Sequence, residues 1–547
     1  MADGRLVVAW PGGSSLVGDL PDLERRDPRW VWWSARGTAP ALLEAGARPA
    51  RCWDLGTVGR LLHGLRRDDP AAVWAAEQDL AEPPLPSGEL DLLDLGGETG
   101  EPVREDGQLS REWLRGTCTA DAGAAVRWAR LALDLQAAQE LRARAIPDPR
   151  TLATGTPMAV LTSYAESAAS LLAVELGRGG LPVDLPVATR LLTAVIGPRP
   201  SDLREELARR LDRDARVLRH FPDSGADLRS PVQVRELLTR IGLDVPDTRS
   251  WRLEPYAAST PAVAALLTWR KAERTATTYG WRWLDENVGE DGRLRGTWGS
   301  ADAAAGRMTA SAGLHNLPGE MRAAVRAEPG FVLVRADLGQ IEPRVLATVS
   351  RDAGLAAAAR EPDMYTPVAA ALRCDRPTAK VSVLAAMYGQ TSGTAGAALR
   401  DMDRAYPVAM AYLRSAEEAG LHRRDLRTYG GRLLRLASLP AGEPVGEHVA
   451  VSGGFGRFAR NAMVQGAAAE LFKAWAVTVR AGLVGLGGSI VLCLHDELLV
   501  HVPVESADQA VMLLRDALDR TAAWWAAGSG VRFVADVGIG ASWQDAH

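Results

Sequence analysis

Residues Val332–Arg344 read VLVRADLGQIEPR. An apolar run ends on a carboxylate, Asp337, and gives way to an amphipathic segment carrying Gln340, Glu342 and Arg344. Side chains alternate along a strand, so Val332, Val334 and Ala336 share one face and Leu333, Arg335 and Asp337 the other. The first face suits a core; the second presents an acid at the strand's end. A lone Asp in such a place is most often a helix cap or turn residue. A second acidic stretch far downstream changes that reading. Ile490–Pro503, IVLCLHDELLVHVP, has two apolar runs flanking a tight turn that holds His495, Asp496 and Glu497, the pattern of a β-hairpin.

Taken together, these stretches resemble family A DNA polymerases, the DNA polymerase I family. ADLGQIEPR is similar to motif A and LHDELLV to motif C. Between them Arg376-Pro-Thr-Ala-Lys380, followed by Tyr388-Gly389, is similar to motif B. AGRMTAS (Ala305–Ser311), LHNLP (Leu314–Pro318), RNAMVQGAAAE (Arg460–Glu470) and GIGASWQDAH extend the resemblance, in order, over roughly residues 175 to 547. It implies an α+β, multidomain right-hand polymerase over residues 173–547. The thumb falls at about 205–285, the palm at about 286–344 and 461–547, and the fingers at about 345–460.

Ahead of this body, residues 1 to about 80 alternate strand-like runs (Arg5–Trp10, Trp30–Trp33) with helix-like stretches (Thr38–Ala45, Leu55–Arg66), as a small α/β unit would. Residues 81–107, rich in Pro, Gly and acids, read as a linker or long loop. Helical patterning resumes through Ala122–Ala145 and Met158–Arg178. In the family this position often holds an RNase H-like α/β domain with 3′–5′ exonuclease activity, which implies such a domain over residues 1–172. Its chemistry needs clustered acids to hold two metals. The opening strand, LVVAWPG, has none, and Tyr164 is followed four residues on by Ala168 where an Asp is usual. Asp54, in RCWDLG, reads more simply as a helix cap. A domain that keeps the fold but does not proofread is expected.

A chain of 547 residues has room for three or four domains at roughly 150 residues each. Its 47% apolar and 24% charged content is that of an ordinary soluble protein. The net charge of −5 gives no whole-chain hint of a nucleic-acid partner, so that reading rests on local clusters. Arginine supplies nearly all the positive charge; the three lysines are Lys271, Lys380 and Lys473. The four cysteines are scattered without CxxC spacing, which argues against a zinc site or disulfide framework. No apolar run approaches the roughly 20 residues of a membrane span, and MADGRLVVAWPGG lacks the layout of a secretory signal. A cytoplasmic, nucleoid-associated monomer is expected.

The resemblance also implies roles. Asp337 and Asp496 are the expected catalytic ligands of two Mg²⁺ ions, with Mn²⁺ as a possible substitute and the Leu338 carbonyl as a further ligand, since hard cations take oxygen donors. Glu497 is near enough to tune the site. Arg376, Lys380, Leu384 and Tyr388 recur every four residues, so on a helix they form one stripe. Arg376 and Lys380 are expected to meet the triphosphate of a dNTP and so to share in catalysis. Gln340, Glu342 (the steric gate against a ribose), Leu384, Tyr388 and His495 complete the nucleotide site. Primer–template DNA is expected at Arg307, Asn316, Arg344, Arg457, Asn461, Gln465, Arg270 and Lys271, with the arginines of LHRRDLRTYGGRLLR as further template contacts. Leu384 replaces an aromatic residue of the family, Ala385 a glycine, Pro343 an apolar residue and His315 a glutamine. Leu384, Ala385 and Pro343 keep open the reading of a catalytically impaired DNA-binding scaffold, and a single-subunit RNA polymerase, which shares similar motifs, is a further alternative. The latter typically has Ser where this chain has Glu497.

Overall fold

In a computed structural model of the chain, the described residues are all except 1–5, 18–19, 85–99, 116–117, 119–120, 153–154, 222–224, 303–304, 390–394, 439–443, 446–447, 450–453 and 547. The strand Phe331–Leu338 lies inside a four-stranded antiparallel sheet, in the order Ser489–Leu494, Glu497–Pro503, Phe331–Leu338, Ala535–Gly540. The expected hairpin is present, turning through His495 and Asp496. Register sets Asp337 opposite Glu497 on one neighbour and opposite Asp536 on the other. Leu333 was expected on the open face with Asp337, yet it is buried together with Val334 and Ala336. On its two neighbouring strands Leu333 stands opposite His501, itself 4% exposed, and Gly540, so this end of the face is closed within the core.

The helix Gly454–Leu483 is the pillar of the polymerase body. Buried residues occur all around it, from Phe458 through Ala467 and Trp475 to Leu483, as they must in a helix packed on every side. It packs against the helices Pro407–Leu421, Met158–Gly179 and Ala507–Trp525. The helix Arg376–Tyr388 is capped by Asp375, whose carboxylate accepts from the Thr378 amide, with Pro377 in the first turn. It ends at Gly389, at φ 64°, a conformation open to glycine at little cost. The helices Leu203–Leu218, Pro231–Arg240 and Pro261–Thr278, in the stretch expected as a thumb, enclose a separate core around Val217, Phe221, Leu238 and Trp269.

In the N-terminal unit the described strands form two pairs. Leu6–Trp10 runs antiparallel to Gly13–Val17, and Arg29–Trp32 runs parallel to Arg51–Asp54. The helices Leu55–His63, Ala122–Ala145 and Met158–Gly179 fall where the sequence pattern puts them. The division at residue 172 needs correction, because the unbroken helix Met158–Gly179 passes through it. Leu171 joins the core of Trp32 and Ala39, while Leu172 and Leu176 join that of the polymerase body. Much of the expected loop at 81–107 lies outside the described residues. Asp54 is a cap, as read: its carboxylate accepts from the amides of Thr57 (2.8 Å) and Ala35 (2.6 Å) and from the Trp32 indole (3.2 Å).

Candidate active site

The two acids meet because the sheet register brings them together. The Leu338 amide donates to the carbonyl of Asp496 at 3.0 Å, which locks the end of the central strand to the hairpin turn. His495 enters that turn at φ 53°, a left-handed conformation that costs a non-glycine residue energy. Its ring tilts against His315 at 5.7 Å, and His315 in turn meets the edge of Trp298 at 5.4 Å. Burial, followed by the Asp337 charge, pushes the Asp496 carboxyl up to about 7. Asp337 is also raised, by burial; Glu497 and Asp536 add to the rise and Arg335 opposes it. Negative charge is crowded here and only part of it is balanced. Among the described residues no group of three or more His, Cys, Asp or Glu side chains could itself hold a metal ion.

Arg335 went unremarked beyond its place on the face of Asp337, and it matters to that face. Its Nη2 lies 3.1 Å from Asp337 Oδ2 and 2.9 Å from Glu497 Oε2. Glu497 is 4% exposed and also accepts from the Trp543 indole. Both of its oxygens are therefore engaged, which keeps it a neighbour of the site and not an open ligand. The only signal in the sequence was its two-residue spacing from Asp337 on a strand.

Across from the acids, Glu342 accepts from the Tyr388 hydroxyl at 2.9 Å. Burial raises the Glu342 carboxyl, and the Arg307 charge lowers it. Gln465 also bonds Tyr388, which ties the pillar helix to the helix Arg376–Tyr388 at this point. Leu384 is partly buried against the main core, while Lys380 is exposed. Arg376 is exposed too, with its guanidinium on Asp363 at 2.7 and 3.1 Å. Asp363 is shared with Gln340, whose Nε2 donates to it at 2.6 Å; the Arg376 guanidinium, above all, holds the Asp363 carboxyl well below its usual range. Gln340 also accepts from the Met364 amide at 3.0 Å, so in this state its side chain is a clasp for the 363–364 turn.

The expected DNA contacts divide. Asn316 and Arg457 are exposed and Arg307 is half-buried, within 3.7 Å of Asp302. Asn461 is 6% exposed, with an Oδ1 that has no protein partner. Arg344 has to be corrected. It is 0% exposed, and its guanidinium donates to the carbonyls of Gly339, Ala359, Glu361, Pro362 and Arg532, so it is a strut beneath the site. Burial lowers its pKa to about 10. Arg270 is likewise turned inward, onto the Thr248 carbonyl, because the fold leaves that acceptor within reach. Lys271 pairs with Glu320. In the basic segment Arg427 binds the carbonyls of Gly431 and Leu62 yet stays exposed, whereas Arg432 is buried, which removes that arginine from the surface that DNA could use.

Comparison with known proteins agrees with this geometry. The family model described as DNA polymerase family A matches residues 199–545. DNA polymerase I of Chloroflexus aurantiacus is 31% identical over 296 residues, covering 49% of this chain and 31% of that protein. The thermostable DNA polymerase I of Thermus filiformis is 28% identical over 331 residues, covering 55% of this chain and 38% of that protein. The chain spans about a third of the length of these relatives. Among solved structures, the POL domain of Pol1 from M. smegmatis, in complex with DNA primer-template and dNTP, matches with a TM-score of 0.61 at 21% identity, over 90% of this chain and 82% of that one. At that identity the likeness is one of fold, and it bears out the expected polymerase architecture. With the family match covering well over half of its length, the chain belongs to DNA polymerase family A.

Proposed function

We propose that this protein extends a primer 3′ end on a DNA template with deoxynucleotides, in replication or repair. The observation that carries the reading is the Leu338–Asp496 backbone bond, which sets two carboxylates side by side at the open end of the sheet. Their mutual charge repulsion is what a cation would relieve, so the residues fit Mg²⁺, or Mn²⁺ in its place. Asp337 and Asp496 would hold the metal with a backbone carbonyl such as that of Leu338, whose side chain is buried. Mg²⁺ commonly keeps waters and substrate phosphate oxygens as its other ligands. When bound, such ions activate the primer oxygen and neutralise phosphate charge.

The chain's own groups supply the rest. Lys380 and Arg376 offer fixed positive charge to the triphosphate, and Arg376 exchanges Asp363 for a phosphate as the nucleotide enters. Glu342, pinned by Tyr388, fills the space a ribose 2′-hydroxyl would need. Leu384 gives the nucleotide apolar contact but no flat ring to stack on, which predicts a weaker grip on the incoming base. Arg307, Asn316, Arg457 and Gln465 line the approach for primer–template DNA. The N-terminal unit is read as exonuclease-like without proofreading, since Asp54 spends its carboxylate on capping and no acid stands on the first strand.

Primer extension with purified protein tests this. dNTP-dependent extension with Mg²⁺ is expected, together with a mismatched 3′ end that is never excised. Preference for ribonucleotides, or no extension with either metal, would overturn the reading; steady removal of the mismatch would overturn the nuclease part alone.

A further inference from the structure

The N-terminal unit meets the polymerase body through buried charges for which the chemistry above has no use. Glu166, on the helix Met158–Gly179, is 0% exposed. Its carboxylate pairs with Arg432 at 2.8 Å and with Lys473. Lys473, on the pillar helix and also 0% exposed, donates from Nζ to the carbonyls of Gly306 (2.7 Å) and Ser300 (3.3 Å). Arg432 crowds Gly306 so closely that a Cβ there, at φ 82°, would stand 2.5 Å from Arg432 Nε. A second tie from the same unit runs from Arg60 to the Asp302 carbonyl at 3.3 Å. The Asp302 carboxylate accepts from the amides of Ala305 (2.8 Å) and Gly306 (2.6 Å), and its own amide donates to the Arg307 carbonyl at 2.7 Å. The segment leading to Arg307 is thus fixed from below by charges whose burial is costly, and breaking such a set is costlier still.

We infer that Glu166 is a positioning residue: through Lys473 and Arg432 the N-terminal unit fixes Ser300, Asp302 and Gly306 and aims Arg307 at primer–template DNA. This rests on the reading of Arg307 as a DNA contact. It gives the N-terminal unit a part in synthesis that needs no nuclease chemistry. Glu166→Gln keeps the shape and one acceptor, yet leaves Arg432 and Lys473 short of a negative charge. Glu77 is the control, another buried carboxylate in the same unit, but committed to His63 (2.7 Å) and Arg142 (2.9 Å).

The test measures the Kd and KM for a fluorescent primer–template, and kcat, on the full chain. Arg307→Ala and Glu166→Gln should each weaken binding about tenfold, or about 1.4 kcal/mol, and the double variant no more than Arg307→Ala alone, the signature of one shared path. The loss should fall in KM for DNA and not in kcat, and Glu77→Gln should bind normally even where it lowers thermal stability. Should Glu166→Gln fold poorly, Glu166→Gln with Lys473→Met restores the charge balance; its stability should recover while binding stays weak. Normal binding by Arg307→Ala would remove the reading of Arg307 and the inference with it. Weak binding by Arg307→Ala but normal binding by Glu166→Gln, additive losses in the double variant, or normal binding by the charge-balanced pair would overturn the inference alone.

Discussion

Replacing Arg344 with methionine separates a strut from a DNA contact. The guanidinium donates to five backbone carbonyls at 2.6 to 3.2 Å, and four of these, from Ala359, Glu361, Pro362 and Arg532, belong to segments the helix Ile341–Ser350 must hold together. Bonds from a charged donor contribute about 1.5–3 kcal/mol each, so four suggest roughly 6–12 kcal/mol as an upper bound. Such terms do not add, water re-satisfies some carbonyls, and burying the guanidinium had its own cost. A net loss of about 3–5 kcal/mol is therefore expected. Urea titration followed by tryptophan fluorescence reads this as a midpoint lower by about 1 M or more at a slope of roughly 3 kcal/mol/M. Arg344→Lys should recover little of it, since three donors on one nitrogen cannot span a fan built for a planar fork. The Kd for primer–template, measured well below the new midpoint, should stay within about twofold of the parent's. A variant with normal stability and much weaker DNA binding would refute this reasoning and return Arg344 to the interface.

Asp496→Asn should abolish extension and leave DNA binding nearly intact, because it removes a metal ligand and no phosphate contact; near-normal synthesis would rule out the site. In chelator, the Asp496 carboxyl, raised to about 7, favours the protonated folded state. Stability should accordingly fall as pH rises from about 4, the unfolded carboxyl's value, towards 7; Mg²⁺ should reverse the loss and Asp496→Asn flatten it. Arg335→Ser releases Asp337 Oδ2 from a guanidinium 3.1 Å away, so Mn²⁺ binding followed by electron paramagnetic resonance without DNA should tighten. Weaker binding would mean instead that Arg335 holds the acid in place for the ion.

The parts of this site that could be read in the sequence are those governed by local rules. Period-two alternation marked the strand of Asp337, and the four-residue stripe from Arg376 marked the helix Arg376–Tyr388. The failures came from long-range packing. Arg344 and Arg270 look like any basic residue near a nucleic-acid site until the chain folds carbonyls around them. Leu333 alternates correctly but is enclosed beside the buried His501, more than a hundred residues away, which no pattern of period two can report. The helix across residue 172 was legible, but not that it serves two cores, since a helix shared by two cores has the same periodicity as one serving a single core.

The strand of Asp337 has a consequence for how the chain is made. It emerges from the ribosome long before either neighbour exists, as Glu497–Pro503 and Ala535–Gly540 are both translated much later. Through that interval both of its edges are bare, and a bare apolar edge invites wrong pairing. Whatever folds early can shield it but cannot complete it. The sheet of Asp337 therefore closes only after residue 540 has been synthesised, and nascent chains stalled before residue 535 should depend heavily on chaperones.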